Sequence, residues 1–184
     1  MESNRILIIA MGRSGGYQLG SWISYELELK FIHEPITNKL NENGDKVVTK
    51  YLITELEDYN RDSIKKYNKV IGLIREEDRD CAESQCWAER NKKWRKNYSI
   101  SQKWIQENET YISEMEKWVR SKRGKLLNIE ELDLIVSYEG IYQRKDDIPK
   151  LLDYLGITSP KYLHFLDNSL RLRDVGTKKK KQLI

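Results

Sequence analysis

Residues 5–23 read RILIIAMGRSGGYQLGSWI. A continuous apolar run, residues 6–11, meets a Gly-Arg-Ser-Gly-Gly loop, and an amphipathic segment follows. An unbroken, isoleucine-rich run suits a parallel strand buried on both faces. Beyond the glycines, Leu19, Trp22, Ile23 and Leu27 recur at helical spacing, which predicts a helix over residues 16–30. A strand that feeds a glycine-rich loop at a helix start makes a seat for an anion. The first N–H groups of the helix have no intrahelical acceptor, and the helix dipole adds to their pull. Gly12, Gly15 and Gly16 let the backbone curl close to such an anion, and Arg13 adds a positively charged fork.

The same reading carries along the chain. Further strands are predicted at residues 31–34, where Pro35 ends the run, at 46–52 (KVVTKYL), at 69–75 (KVIGLIR) and at 125–129 (KLLNI). Helices are predicted over 76–95, 99–122 and 146–155, the last closed by Gly156. Residues 41–45 form a turn, and 55–67 show weak helical periodicity. Strands alternating with helices give an α/β fold of three layers, a central and mainly parallel sheet flanked by helices. Ligands of such folds sit beyond the C-terminal ends of the strands, where Met11, Glu34, Leu52 and Arg75 fall. One domain is expected over residues 1–175, followed by a basic tail, 176–184. In the helix over 99–122, Trp104, Tyr111 and Trp118 repeat every seven residues, as do Tyr98, Ile105, Ile112 and Val119. The stripe Trp104, Tyr111 and Trp118 reads as core, as do Trp87 and Trp94, and the helix could also face a second copy of the chain in a homodimer.

Composition narrows the classes. The 184 residues suffice for one real core, and 39% hydrophobic against 34% charged residues is the balance of a soluble globular chain. The net charge of +4 suits an anionic ligand without demanding nucleic acid, and part of it sits in the run Lys178 to Lys181. Cys81 and Cys86, five residues apart on a predicted helix, lie about 140° apart around its axis, which disfavours a disulfide between them. Two cysteines make neither a disulfide framework nor a zinc site, and no His/Cys/Asp cluster has ligand spacing, so no metal is expected. The apolar run 6–11 is too short to span a bilayer and lacks a cleavage pattern after it; a cytoplasmic protein without a membrane segment is expected.

Two familiar phosphate loops do not fit. A nucleoside-triphosphatase loop ends in Lys-Ser/Thr, and a later strand supplies an aspartate for magnesium; here the pair is absent and the later strand ends in Arg75. The dinucleotide fingerprint G-x-G-x-x-G is absent too. Gly12-x-x-Gly15 is a looser relative, and Glu34 falls where a ribose-binding acid sits, so an NAD(P)-linked oxidoreductase stays open. A non-enzymatic protein that holds a nucleotide or nucleic acid with the loop and the basic tail stays open as well.

One resemblance is more specific. GRSGGYQLGSWI resembles the 5′-phosphosulfate loop of the sulfotransferases that use 3′-phosphoadenosine 5′-phosphosulfate (PAPS), a P-loop-like motif between first strand and first helix. VIGLIREEDRDCAESQCWA is similar to that family's strand ending in Arg followed by a helix carrying Ser, which together hold the 3′-phosphate. FIHEP resembles the Glu-Pro after the second strand of carbohydrate sulfotransferases. LLNIEEL, then IPKLLDYLGI, resembles the family's late strand ending in Glu-x-Leu and its closing helix. The four stand in family order between residues 6 and 157.

The resemblance implies sulfuryl transfer from PAPS to a hydroxyl of a carbohydrate or small-molecule acceptor, with adenosine 3′,5′-bisphosphate as product and no metal. It implies that Arg13, with the amides of Ser14, Gly15, Gly16, Tyr17 and Gln18, takes the 5′-phosphosulfate. Arg75 and Ser84 take the 3′-phosphate. Glu34 is the candidate base, held extended by Pro35, with His33 as its neighbouring alternative on the opposite strand face. Lys50, late in the third strand, is placed to neutralise the leaving group. The chain departs from the family at Gly16 and Tyr17, where hydroxyl side chains are usual, and its Arg-to-Ser spacing is one residue longer. Glu76, Glu77 and Asp78 sit beside the 3′-phosphate position, where their charge opposes an anion unless they point away.

Overall fold

The apolar run of residues 6–11 becomes β1 (Asn4–Ala10), and the periodic segment after the glycines becomes α1 (Gly16–Glu26). In the computed structural model that shows this, residues 4–33, 44–54, 61–92 and 100–166 are described. The remaining strands are β2 (Lys30–His33), β3 (Lys46–Leu52), β4 (Lys69–Ile74) and β5 (Leu134–Ser137). Between them run a short α2 (Arg61–Ile64), α3 (Asp78–Asn91), α4 (Gln102–Glu107) and α5 (Glu109–Leu127). After β5 come a π-helical turn, Glu139–Gln143, then α6 (Ile148–Leu155) and a 3₁₀ turn, Leu163–Leu166. All pairings are parallel, in the order β2-β3-β1-β4-β5.

The central strand explains the layers. Ile6, Ile8 and Ala10 point into one core with Trp22, Ile23 and Leu19 of α1 and Leu151 and Leu155 of α6. Leu7, Ile9 and Met11 point into the other, with Cys81 and Cys86 of α3 and Ile112, Val119 and Leu126 of α5. A strand buried on both faces has no polar face to alternate with, which is why its sequence reads as a continuous apolar run. The expected three-layer α/β fold with a parallel sheet is the fold observed.

The part of the chain after residue 98 corrects three expectations. Residues 125–129 (KLLNI) are not a strand: Leu126 and Leu127 end α5, and the last strand is Leu134–Ser137. Leu126 continues the seven-residue line of Ile112 and Val119 into the core, so its apolar character belongs to a helix face rather than a strand. The predicted helix over 99–122 is two helices that meet at Asn108, whose side chain donates to the Trp104 carbonyl. The aromatic stripe is not the core line either. Trp104 and Tyr111 are half-buried and Trp118 is 39% exposed, while Ile112 and Val119 are buried. Trp94, Tyr98 and the basic tail lie outside the described residues. Among those described, no helix is long and apolar enough to cross a membrane.

Both cysteines are free and buried. Cys81 Sγ donates to the Gly12 carbonyl at 3.4 Å and Cys86 Sγ to the Tyr111 carbonyl at 3.8 Å. Burial pushes each thiol up to about 11, so neither carries appreciable thiolate at neutral pH. Thiol-reactive dye is therefore expected to label neither sulfur in the native protein over minutes, and both at once in denaturant. Prompt native labelling at either position would contradict this packing.

Candidate functional site

The chain leaves β1 toward β2 and β3 and leaves β4 toward β5, although β1 and β4 are neighbours. Their C-terminal loops therefore part company, which opens the crevice where ligands of such sheets bind. The glycine loop follows β1 and Arg75 follows β4, so both sequence-predicted anion ligands reach the same crevice. Arg13 (φ 61°) and Gly15 (φ 77°) adopt the left-handed conformation, uncommon for a residue other than glycine. From there the Arg13 Nε donates to Ser84 Oγ on α3 at 3.0 Å, and the Arg13 carbonyl accepts from Arg75 Nη1 at 3.5 Å. Arg13, Ser84 and Arg75 are thus brought together although the sequence separates them widely.

The loop's own side chains are committed inward. Ser14 is buried, and its hydroxyl donates to the Met11 carbonyl at 2.6 Å. Gly15 caps α1 with no side-chain hydrogen bond, so among the described residues the first-turn amides have no side-chain acceptor. Gln18 Nε2 donates to the Phe165 carbonyl at 2.6 Å and holds the 3₁₀ turn beside the helix start. What this loop can offer an anion is backbone N–H and Arg13.

Gly16 shows why a hydroxyl is missing there. A Cβ at Gly16 would lie 2.8 Å from Ala10 Cβ and 3.1 Å from Lys50 Cε. The stem of Lys50, 4% exposed, passes through the space that a side chain would take. His33 is the register partner of Lys50, and its ring centroid is 5.0 Å from that of Tyr17, which is 46% exposed. Lys50, His33 and Tyr17 therefore lie on the α1 side of the sheet. Glu34 and Pro35 lie outside the described residues.

Arg75 has a partner that its own motif did not announce. Its side chain is 10% exposed, its Nε lies 3.4 Å from Glu139 Oε1, and its guanidinium stands 4.5 Å over the Tyr138 ring. Glu139, 3% exposed, accepts from the Glu76 amide at 2.9 Å with its other oxygen. From the same π-helical turn, Tyr142 Oη donates to the Gly15 carbonyl at 2.8 Å, and its ring occupies the space that a Cβ on Gly15 would need. Burial pushes the Tyr142 phenol far above the usual tyrosine range. Tyr138, Glu139 and Tyr142 were missed because residues 125–129 were read as the last strand. The apolar Leu134-Ile135-Val136 just before them was the available signal.

Two acids of the run beside Arg75, Glu76 and Asp78, are paired with arginines, while Glu77 is exposed. Glu76 is held by the Arg144 fork at 2.7 and 2.8 Å. Asp78 meets Arg123 at 2.9 Å and Arg120 at 3.1 Å. Arg123 also donates to the Arg75 and Glu76 carbonyls at 3.2 and 2.6 Å. Hydrogen bonds from Arg144 and Ser137 hold the Glu76 carboxyl down at about 2. Among the described residues no three His, Cys, Asp or Glu side chains converge as a metal centre requires.

No protein-family model matches the chain, and no curated protein matches it in sequence. Among solved structures it is similar to the mouse sulfotransferase SULT7A1 complexed with PAP, with a TM-score of 0.54 and 15% identity. The likeness covers 86% of this chain and 60% of the mouse protein, so the chain spans less than two thirds of that neighbour's length. The shared feature is the fold, a parallel sheet flanked by helices.

Two predictions follow from the packing. Gly16→Ser is expected to destabilise the protein by about 1–3 kcal/mol, the usual effect of overpacking, despite helix propensity that favours serine. Ala10→Gly in the same chain should recover part of that loss; a stable Gly16→Ser protein would mean that β1 and α1 are not this close. The Glu76–Arg144 pair gives a pH signature. Because folding lowers the Glu76 carboxyl from 4.5 to about 2, its stabilisation is complete above the unfolded value and fades as pH falls through the folded one. The melting-temperature gap between wild type and Arg144→Gln should be small, as for an exposed pair, flat near neutrality, and gone in strong acid. A gap that widens on acidification would contradict the pairing.

Proposed function

We propose that the chain transfers a sulfuryl group from PAPS to a hydroxyl of a carbohydrate or small-molecule acceptor, in the cytoplasm. The observation that carries this reading is the meeting of Arg13, Ser84 and Arg75 at the switch point of the sheet, in front of a helix start that no side chain caps among the described residues. Two guanidiniums and a hydroxyl suit a nucleotide with phosphate at both ends of its ribose. Bound PAPS supplies an activated sulfuryl group on a phosphate leaving group. In this reading Arg13 and the amides of Ser14 to Gln18 hold the 5′ end, and Arg75 and Ser84 hold the 3′-phosphate. The charge that develops on the leaving oxygens falls to Arg13 and Lys50. The acceptor proton goes to one of two neighbours at the end of β2, Glu34 or His33.

Calorimetry with adenosine 3′,5′-bisphosphate, NADP and ATP in parallel tests the proposal. The bisphosphate should bind, the other two should bind far more weakly, and Arg13→Ala should weaken it about 10- to 100-fold, the loss expected for a charged hydrogen bond. Preference for NADP or ATP would overturn the reading. Transfer of labelled sulfate from PAPS to a panel of hydroxyl acceptors then fixes the acceptor class.

A further inference from the structure

We propose that Glu139 is the positioning residue of the anion site: it acts on the ligand only through Arg75, by fixing where that guanidinium stands. For its ligand the proposal rests on the function just described.

Glu139 stands immediately past β5, in the π-helical turn, with its carboxylate almost wholly out of water. A buried carboxylate is tolerated only when its charge and lone pairs are matched. Its two oxygens are matched in different ways. One takes the Arg75 Nε at 3.4 Å, and the other takes the Glu76 amide at 2.9 Å. The amide contact anchors the carboxylate to the backbone after β4, so Glu139 is a fixed point rather than a mobile counter-ion. Its own turn is fixed in the same way: Ser137 Oγ accepts from the Gly140 amide at 2.9 Å, and Asp147 accepts from the Ser137 amide at 2.6 Å.

Glu139 occupies one edge of the Arg75 fork. The Tyr138 ring covers its face, and Nη1 points to the Arg13 carbonyl. Among the described residues Nη2 has no hydrogen-bond partner, yet it is not among the side-chain atoms that are both buried and unpaired. The arrangement holds the guanidinium at Nε and Nη1 and leaves the two N–H groups of Nη2 uncommitted among the described residues. A planar fork fixed at Nε presents its remaining donors in one orientation, which is what recognition of a phosphate requires. Without the carboxylate, Arg75 loses the contact that sets this orientation, and the Arg13 carbonyl loses a well-placed donor. The ends of β1, β4 and β5 are thereby linked through one side chain.

This predicts a sign that simple electrostatics does not. A carboxylate beside an anion site should oppose the anion, so Glu139→Gln should tighten binding if its charge were all that mattered. If Glu139 positions Arg75, Glu139→Gln instead weakens adenosine 3′,5′-bisphosphate about tenfold, which is about 1.4 kcal/mol. The loss should shrink to less than about twofold in an Arg75→Lys background, because groups that act as a unit are not additive. Glu139→Asp should recover part of the affinity. Tighter or unchanged binding by Glu139→Gln overturns the proposal, and so does the full loss repeated in the Arg75→Lys background, the mark of a merely structural role. Amide exchange in the ligand-free protein separates this from the functional reading. Glu139→Gln should speed exchange at residues 12–16 several-fold while leaving β1 protected, whether or not the bisphosphate binds; unchanged exchange there counts against positioning. Failure of the wild type to bind the bisphosphate overturns the functional reading alone.

Discussion

A charge pair sits at the end of a sheet whose strands are otherwise walled in by aliphatic side chains, and the crevice is arranged around it. Burying Arg75 and Glu139 together brings little net stability, because desolvation consumes most of the Coulombic gain. Removing one partner is another matter, since an uncompensated buried charge costs about 3–5 kcal/mol, a large share of the stability of a typical domain. Such a pair is better understood as a geometric device than as glue. It ties the turn after β5 to the end of β4, and through the Arg13 carbonyl to the glycine loop after β1. Tyr142, on the same turn, grips that loop from its other side at Gly15. The loop holds its two left-handed residues against a scaffold that comes from more than a hundred residues later in the chain.

How much of this could be read in advance follows from how local each cause is. β1 and β4 were legible because a strand buried on both faces leaves an apolar run, and β3 (KVVTKYL) because it is rich in valine, threonine and tyrosine. The start of α1 was legible because glycine and helical periodicity change over within a few residues. The last strand was not. KLLNI satisfies a strand pattern and a helix face equally well, and only Gly72, which leaves room for the Leu126 side chain against β4, shows which packing wins. The tryptophan stripe misled for a related reason. Two seven-residue lines run along residues 98–119, and the aromatic one, with Trp104, Tyr111 and Trp118, was read as core. The smaller line, Ile112, Val119 and Leu126, is the one whose shape fits between α5 and the sheet.

In the site, types and positions were legible but partners were not. Arg13, Ser84 and Arg75 could be singled out from local motifs, since each sits at a strand end or helix start that a pattern announces. That the Arg13 Nε would rest on Ser84, or that Arg75 would face Glu139, depends on pairs 71 and 64 residues apart, and no local pattern links residues at such distances. The acids after Arg75 raised an objection that the fold answers with arginines from elsewhere: Arg144 for Glu76, Arg120 and Arg123 for Asp78. Asp78 and Asp80, the acids in the first turn of α3, suit its dipole.

The glycine loop gains a physical reason for its unusual middle. With Ala10 on one side and the Lys50 stem on the other, position 16 has no room for a hydroxyl, so the choice there is between a side-chain donor and a close lysine. The stem of Lys50, threaded between β3 and the start of α1, takes the place that a side chain at position 16 would need. The two positions form one unit: a larger residue at 16 would displace Lys50 as well as crowd β1, and for that reason the departure from the family pattern at Gly16 cannot be read apart from the lysine on the third strand.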